Sequence, residues 1–135
     1  MRLSSNLEPT LFLLREYFLD GKLKWGEIST FERVYLFMVS GKMVSQNNIT
    51  ISSKPEACVP NFDILKTAPH GALIVHNHPN GPRYPSHADR VMAHKWVQFT
   101  HVIICPRYHL TAYDYYGPYL DTEFIFGDTE ESIDE

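Results

Sequence analysis

Ala72-Leu73-Ile74-Val75-His76-Asn77-His78-Pro79-Asn80-Gly81-Pro82-Arg83-Tyr84-Pro85-Ser86-His87-Ala88-Asp89 joins an apolar run to a turn rich in proline and glycine, and then to a helix start. The apolar run predicts a buried strand over residues 72–78, stopped by Pro79, which cannot donate to a ladder. Side chains two apart on a strand share a face, so His76 and His78 project together and Asn77 faces away. Residues 79–85 reverse the chain. Ser86, followed three residues later by Asp89, is the pattern of an N-cap and its reciprocal carboxylate, and it opens a helix over residues 86–99. That helix would carry Asp89 back over the end of the strand.

Outward from this stretch, residues 7–20 repeat apolar side chains at three- and four-residue steps (Leu11, Leu14, Phe18), with Pro9 in the first turn and Gly21 at the end, which predicts a helix. Residues 34–39 form a β-branched and aromatic run that turns at Ser40-Gly41-Lys42 into a second strand near Met43 and Val44. A further strand is expected over 49–52, a short helix over 62–67, a strand over 101–105 and another over 110–116. Strands and helices mixed in this order, without a βαβ rhythm, predict an α+β domain or a three-layer α/β/α sandwich with a mixed sheet.

Histidine nitrogens and a carboxylate oxygen are donors of a catalytic zinc site, which uses three protein ligands and leaves a fourth position for water. His76, His78 and Asp89 can supply one such set. The same residues also have a plainer reading: a lone histidine is usually structural, and Asp89 can be no more than the N3 carboxylate of a helix cap. Residue chemistry alone leaves both readings open. His70, His87, His94, His101 and His109 read as surface or core residues, with His87 the one placed to reach the cleft. Trp96 and Phe99 read as core, and Tyr113, Tyr115, Tyr116 and Tyr119 either line a groove or cover a sheet.

His76-x-His78-Pro79, ten residues between His78 and Asp89, and Ser86 three before Asp89 resemble the JAMM motif of the JAB1/MPN/Mov34 (MPN+) metalloenzymes, in particular the RadC-like and JAB branches of prokaryotes and phages. The resemblance implies a cytidine-deaminase-like MPN/JAB fold and a zinc metallopeptidase or isopeptidase, in which a glutamate general base acts on a zinc-bound water. It assigns one Zn²⁺ to His76, His78 and Asp89. It gives Ser86 the stabilisation of the oxyanion, and it asks for an upstream glutamate as base and acid. Glu32, directly before the apolar run of residues 34–39, matches best; Glu27 is the second choice, and Glu16 reads as a solvated helix residue. A non-catalytic MPN-like subunit of an assembly such as a phage tail tip is the alternative. Deaminase chemistry is disfavoured, because the Pro-Cys-x-x-Cys ligand pair it needs is missing.

Biological context is less determined. The residues before Glu32 are too few for the helix-hairpin-helix region of RadC-like proteins, so a DNA-repair role is not expected. The implied substrate is a protein or peptide: a ubiquitin-like modifier, or a phage tail or peptidoglycan component. Of the 16 acidic residues, five (Asp128, Glu130, Glu131, Asp134, Glu135) fall in the last eight positions. A single domain over residues 1–127 with an acidic, disordered tail over 128–135 is expected. The body is then close to neutral and offers no basic excess for phosphates, so no nucleic acid is expected as a partner. No apolar run approaches the roughly 20 residues of a membrane span, and the N-terminal residues lack the apolar core of a secretory signal. A cytoplasmic location is expected, or a virion-associated one if the protein is phage-encoded. Cys58 and Cys105 lack the spacing of a metal or redox motif; Cys105 reads as a buried small hydrophobe and neither reads as a nucleophile. Whether the two pair is left open.

Overall fold

A computed structural model describes residues 7–115 and 120–121. Helix α1 (Glu8–Leu19) has Pro9 in its first turn, where a missing amide proton costs nothing, and ends before Gly21 at φ +76°. Its periodic residues Leu11, Leu14 and Phe18 are fully buried, whereas Glu16 on the opposite side is exposed. A single helical turn, α2 (Trp25–Ile28), follows; four residues carry no periodicity to read.

Strand β1 (Val34–Ser40) folds back through Gly41, at φ +60°, onto β2 (Met43–Asn48). Positive φ is what a two-residue hairpin loop requires. Strands β3 (Thr50–Lys54) and β4 (Ala57–Pro60) make a separate two-stranded hairpin. Strand β3 matches the strand expected over 49–52, whereas β4, short and ending in proline, shows no strand pattern in the sequence. Helix α3 (Phe62–Thr67) starts at Asn61, whose side chain accepts the amide proton of Asp63. Strand β5 (Leu73–Asn77) is followed by α4 (His87–Lys95), β6 (Thr100–Cys105), a 3₁₀ turn at 106–108, β7 (His109–Tyr113) and the short β8 (Leu120–Asp121).

The six-stranded sheet has the order β2-β1-β5-β6-β7-β8, with every pair antiparallel except β5 and β6. The fold is α+β with a mixed sheet. One expectation needs correction: β5, α4 and β6 do form a parallel βαβ crossover. The rhythm was hidden because it occurs once, and because a buried central strand reads as a continuous apolar run rather than an alternating one. Helix α4 also stops earlier than residue 99, at Lys95. Phe99 is needed in the core beside β6, where it is fully buried.

Alternation along β5 divides the core. Leu73 and Val75 join Tyr35, Phe37, Val102, Ile104 and α1's Leu11, Leu14 and Phe18 on one side. Ile74 points to the other, with Val34, Leu36, Ile49, Phe99 and α3's Leu65. Ile103 meets Ala93 of α4 on that second side, together with Tyr113. Each large apolar side chain removed from water contributes roughly 1.5–3 kcal/mol. The ring of Phe18 stacks on Tyr108 at 5.8 Å and meets Phe37 edge-on at 5.7 Å. No helix among the described residues is long and apolar enough to cross a membrane. Tyr116, Tyr119 and the acidic tail lie outside the described residues.

Candidate metal centre

The histidines sit on and directly after an interior strand of the sheet. β5 is buried along its whole length between β1 and β6, and His78 directly follows its end, its amide donating to the Ile104 carbonyl at 2.9 Å. β1 runs antiparallel to β5 with Val34 opposite His76. Carried two residues further, the same register sets Glu32 opposite His78 and on the same face. Glu32 is held there by its backbone. Its amide donates to the Lys54 carbonyl at 2.9 Å, and the Ser53 hydroxyl donates to its carbonyl at 2.6 Å.

Asn77 faces away from the histidines, as the strand period requires, and is wholly buried. Its Oδ1 accepts from the Arg33 amide at 2.6 Å, while its Nδ2 donates to the carbonyls of Ile28 (2.6 Å) and Phe31 (2.8 Å). One side chain thus ties the segment carrying Glu32 to the strand carrying the histidines. A polar side chain at the end of an apolar run in a buried strand was the available signal, since buried polar groups are there to make hydrogen bonds.

Three donor groups converge on the histidine face. His76 Nε2 and His78 Nε2 are 3.2 Å apart. Asp89 Oδ1 lies 3.1 Å from the first and Oδ2 lies 3.2 Å from the second. Glu32 joins them, offering an oxygen that lies with the two histidine nitrogens inside a 4.8 Å group. A tetrahedral ion with bonds of about 2.0–2.1 Å keeps its ligand atoms roughly 3.3 Å apart, close to these separations. Nδ1 of His78 lies 2.8 Å from the Pro82 carbonyl, which can only accept, so Nδ1 carries the proton. In the neutral ring the lone pair is then on Nε2, available to a metal, and in the protonated ring Nε2 donates to Asp89 instead. The donor set and the tautomer both fit a divalent metal such as zinc.

Helix capping and site geometry turn out to be one arrangement rather than rivals. The Asp89 amide donates to Ser86 Oγ at 3.1 Å, and the Ser86 amide donates to Asp89 Oδ2 at 2.9 Å. The capping box orients the carboxylate that meets both imidazoles. Ser86 Oγ accepts in this box, which leaves its own proton free to donate.

Charge is strongly coupled here. Burial would raise the pKa of Asp89, but the hydrogen bonds from His76 and His78 outweigh it and hold the carboxyl far below its ordinary range. Burial would lower that of His78; the hydrogen bonds with Asp89 and Pro82 reverse this and hold it above its ordinary value. Glu32 is pushed up by burial, against the pull of the two histidines. The Cys58 thiol, 3.9 Å from Glu32 Oε1, is pushed up to about 12 by burial and by Glu32 and Asp89, so it stays protonated and is a poor nucleophile. Cys58 and Cys105 are both free thiols, and Cys105 is fully buried on β6.

The remaining candidates separate clearly. Glu27 lies exposed on α2 and does not line the cavity that holds the histidines, and His70, His87 and His94 are exposed. Tyr113, for which a groove or a sheet cover was expected, and His101, expected as a surface or core residue, both line the cavity of about 500 Å³ that contains Glu32, His76, His78, Ser86 and Asp89. Tyr113 meets the His76 ring edge-on at 6.3 Å. His101 Nε2 donates to the Trp96 carbonyl at 2.8 Å, and burial depresses its pKa to about 4, so the ring is neutral. Phe99 is core, as its sequence context suggests, whereas Trp96 is half-buried and lines the cavity.

Residues 42–116, more than half of the chain, match the family of prokaryotic homologs of the JAB domain. The chain belongs to this family. Comparison with curated proteins and with solved structures gives no match. The JAB family includes metalloproteases, and the matched segment takes in His76, His78, Ser86 and Asp89. It begins beyond Glu32, so the place of Glu32 in this JAB domain rests on the β1–β5 register and on the clamp made by Asn77.

Proposed function

We propose that this JAB domain is a zinc-dependent peptidase or isopeptidase, with a protein or peptide as substrate. The observation that carries the reading is the convergence of Glu32, His76, His78 and Asp89 in one cavity, from three separate elements. His76, His78 and Asp89 would hold one zinc ion. A zinc ion bound there supplies Lewis-acid chemistry, acidifying a water and polarising a carbonyl. Glu32 takes the proton of the attacking water and passes it to the leaving amine nitrogen; burial shifts its carboxyl upward, the direction that suits a group which must both accept and return a proton. Ser86 donates its free hydroxyl proton to the oxyanion of the tetrahedral intermediate. Neutral His101 and the buried Tyr113 help keep the site dry. Helix α1 against one side of the sheet, with α3 and α4 against the other, supports the three-layer sandwich.

Zinc-replete protein is expected to hold about one ion per chain and to cleave a panel of peptide and Lys-linked isopeptide substrates. Glu32→Gln should keep the metal and lower kcat at least about 100-fold, the scale of a lost general base. Protein that retains zinc but cleaves nothing in the panel would point instead to a non-catalytic subunit.

A further inference from the structure

The cavity extends well past the metal-ligating atoms. From His76 it continues along the same face of β5 to Ile74 and across to Val34, the register partner of His76 on β1. Leu65 of α3 closes one wall, and Met92 and Trp96 on the α4 side close the other. Trp96 is held by two rings, stacking on Phe62 at 6.0 Å and on Phe99 at 6.3 Å, so this wall is preformed.

The charges in the lining have one sign. Glu32, Glu56 and Asp89 contribute carboxylates, and no lysine or arginine is among the lining residues. A carboxylate or phosphate group entering here would meet no cation beyond the metal position and would be desolvated against apolar walls, at a cost burial does not return. Glu32 and Asp89 lie at the metal end and Glu56 is exposed, so a lysine or arginine side chain seated among Ile74, Leu65 and Trp96 would bury its charge against apolar walls. An uncharged apolar side chain gains from every wall it touches. A glycine would leave the apolar walls of Leu65, Ile74, Met92 and Trp96 uncovered.

We propose that this cavity is a specificity pocket, which takes one large uncharged side chain (leucine, methionine or phenylalanine) of the residue next to the scissile bond. The inference rests on the hydrolase reading and adds the class of residue to it. Contact with the apolar walls should favour such a residue over glycine by about 10- to 100-fold, the worth of burying one large apolar side chain.

The test uses binding, so it does not depend on turnover. The zinc-loaded protein is titrated calorimetrically with the hydroxamates of N-acetylglycine, N-acetylleucine, N-acetylphenylalanine and N-acetylaspartate, with zinc content measured in parallel. The leucine and phenylalanine compounds are expected to bind about 10- to 100-fold more tightly than the glycine compound, and the aspartate compound no more tightly than it. Met92→Trp, at a half-buried position that narrows the pocket, should bring the phenylalanine-to-glycine ratio down towards one. Equal binding of the glycine, leucine and phenylalanine compounds by wild-type protein overturns the pocket and leaves the metal reading standing. Protein that takes up no zinc and binds none of the four overturns both.

Discussion

At the scale of single residues, Asp89 shows how one side chain can answer two local demands. It closes the cap of α4 through the Ser86 amide and meets both imidazoles with its two oxygens. His101, buried in the lining of the same cavity, makes a separate and measurable claim on stability. Its ordinary pKa near 6.5 applies to the unfolded chain, whereas burial holds it at about 4 in the fold. Between those two values the unfolded chain binds a proton that the folded one does not. The contribution of this group is therefore zero above about pH 6.5 and increasingly destabilising as pH falls towards about 4, reaching about 3 kcal/mol. Denaturant unfolding of wild type and His101→Gln at pH 7.5 and pH 4.5 checks this. The stability difference between them should shift in favour of the variant at the lower pH, and an unchanged difference would remove His101 as the cause.

At the scale of elements, the site depends on the pairing of β1 with β5 and on the clamp beneath it. Asn77 closes three hydrogen bonds onto residues 28–33. Asn77→Ala would leave a buried amide and two carbonyls without partners, and should cost about 2–4 kcal/mol of unfolding free energy. Asn77→Asp keeps the volume but sets a carboxylate oxygen against the Ile28 and Phe31 carbonyls, so it should be destabilised comparably. If urea unfolding finds the Asp variant within about 0.5 kcal/mol of wild type, the clamp does not act through these hydrogen bonds. The part of the site legible in the sequence is the part within one local stretch: His76 and His78 by strand period, Ser86 and Asp89 by capping spacing. Hairpin β3–β4 was only half legible, because Ala57-Cys58-Val59-Pro60 is too short to show a period. With β4 went the placement of Cys58 beside Glu32.

At the scale of the whole molecule, the candidate ligands join β5 to α4, and Glu32 joins them to β1. A metal held there binds the folded chain and not the unfolded one, so it should stabilise the fold globally by about 4 kcal/mol at a thousandfold excess over Kd. Removing it with a chelator should lower Tm by roughly 10 °C for a domain of this size. The same chelator should leave His76→Ala unmoved, and thermal unfolding with and without it reads both results. A wild-type Tm that ignores the chelator would contradict a metal joining these elements.

Sequence by itself determined what depends on neighbours a few residues away: the amphipathic α1, the buried β5 with two histidines on one face, the turn after it and the capped start of α4. It also carried the likeness to the JAMM motif, because that motif is itself local. Tertiary structure alone decided that Glu32 and not Glu27 stands beside the histidines, that β5 and β6 run parallel, and that His101, Tyr113 and Trp96 line the same cavity. The reason is physical. Strand period and helix caps are set by backbone geometry and nearest-neighbour hydrogen bonds, whereas the register of β1 on β5 is set by which faces the whole sheet must bury.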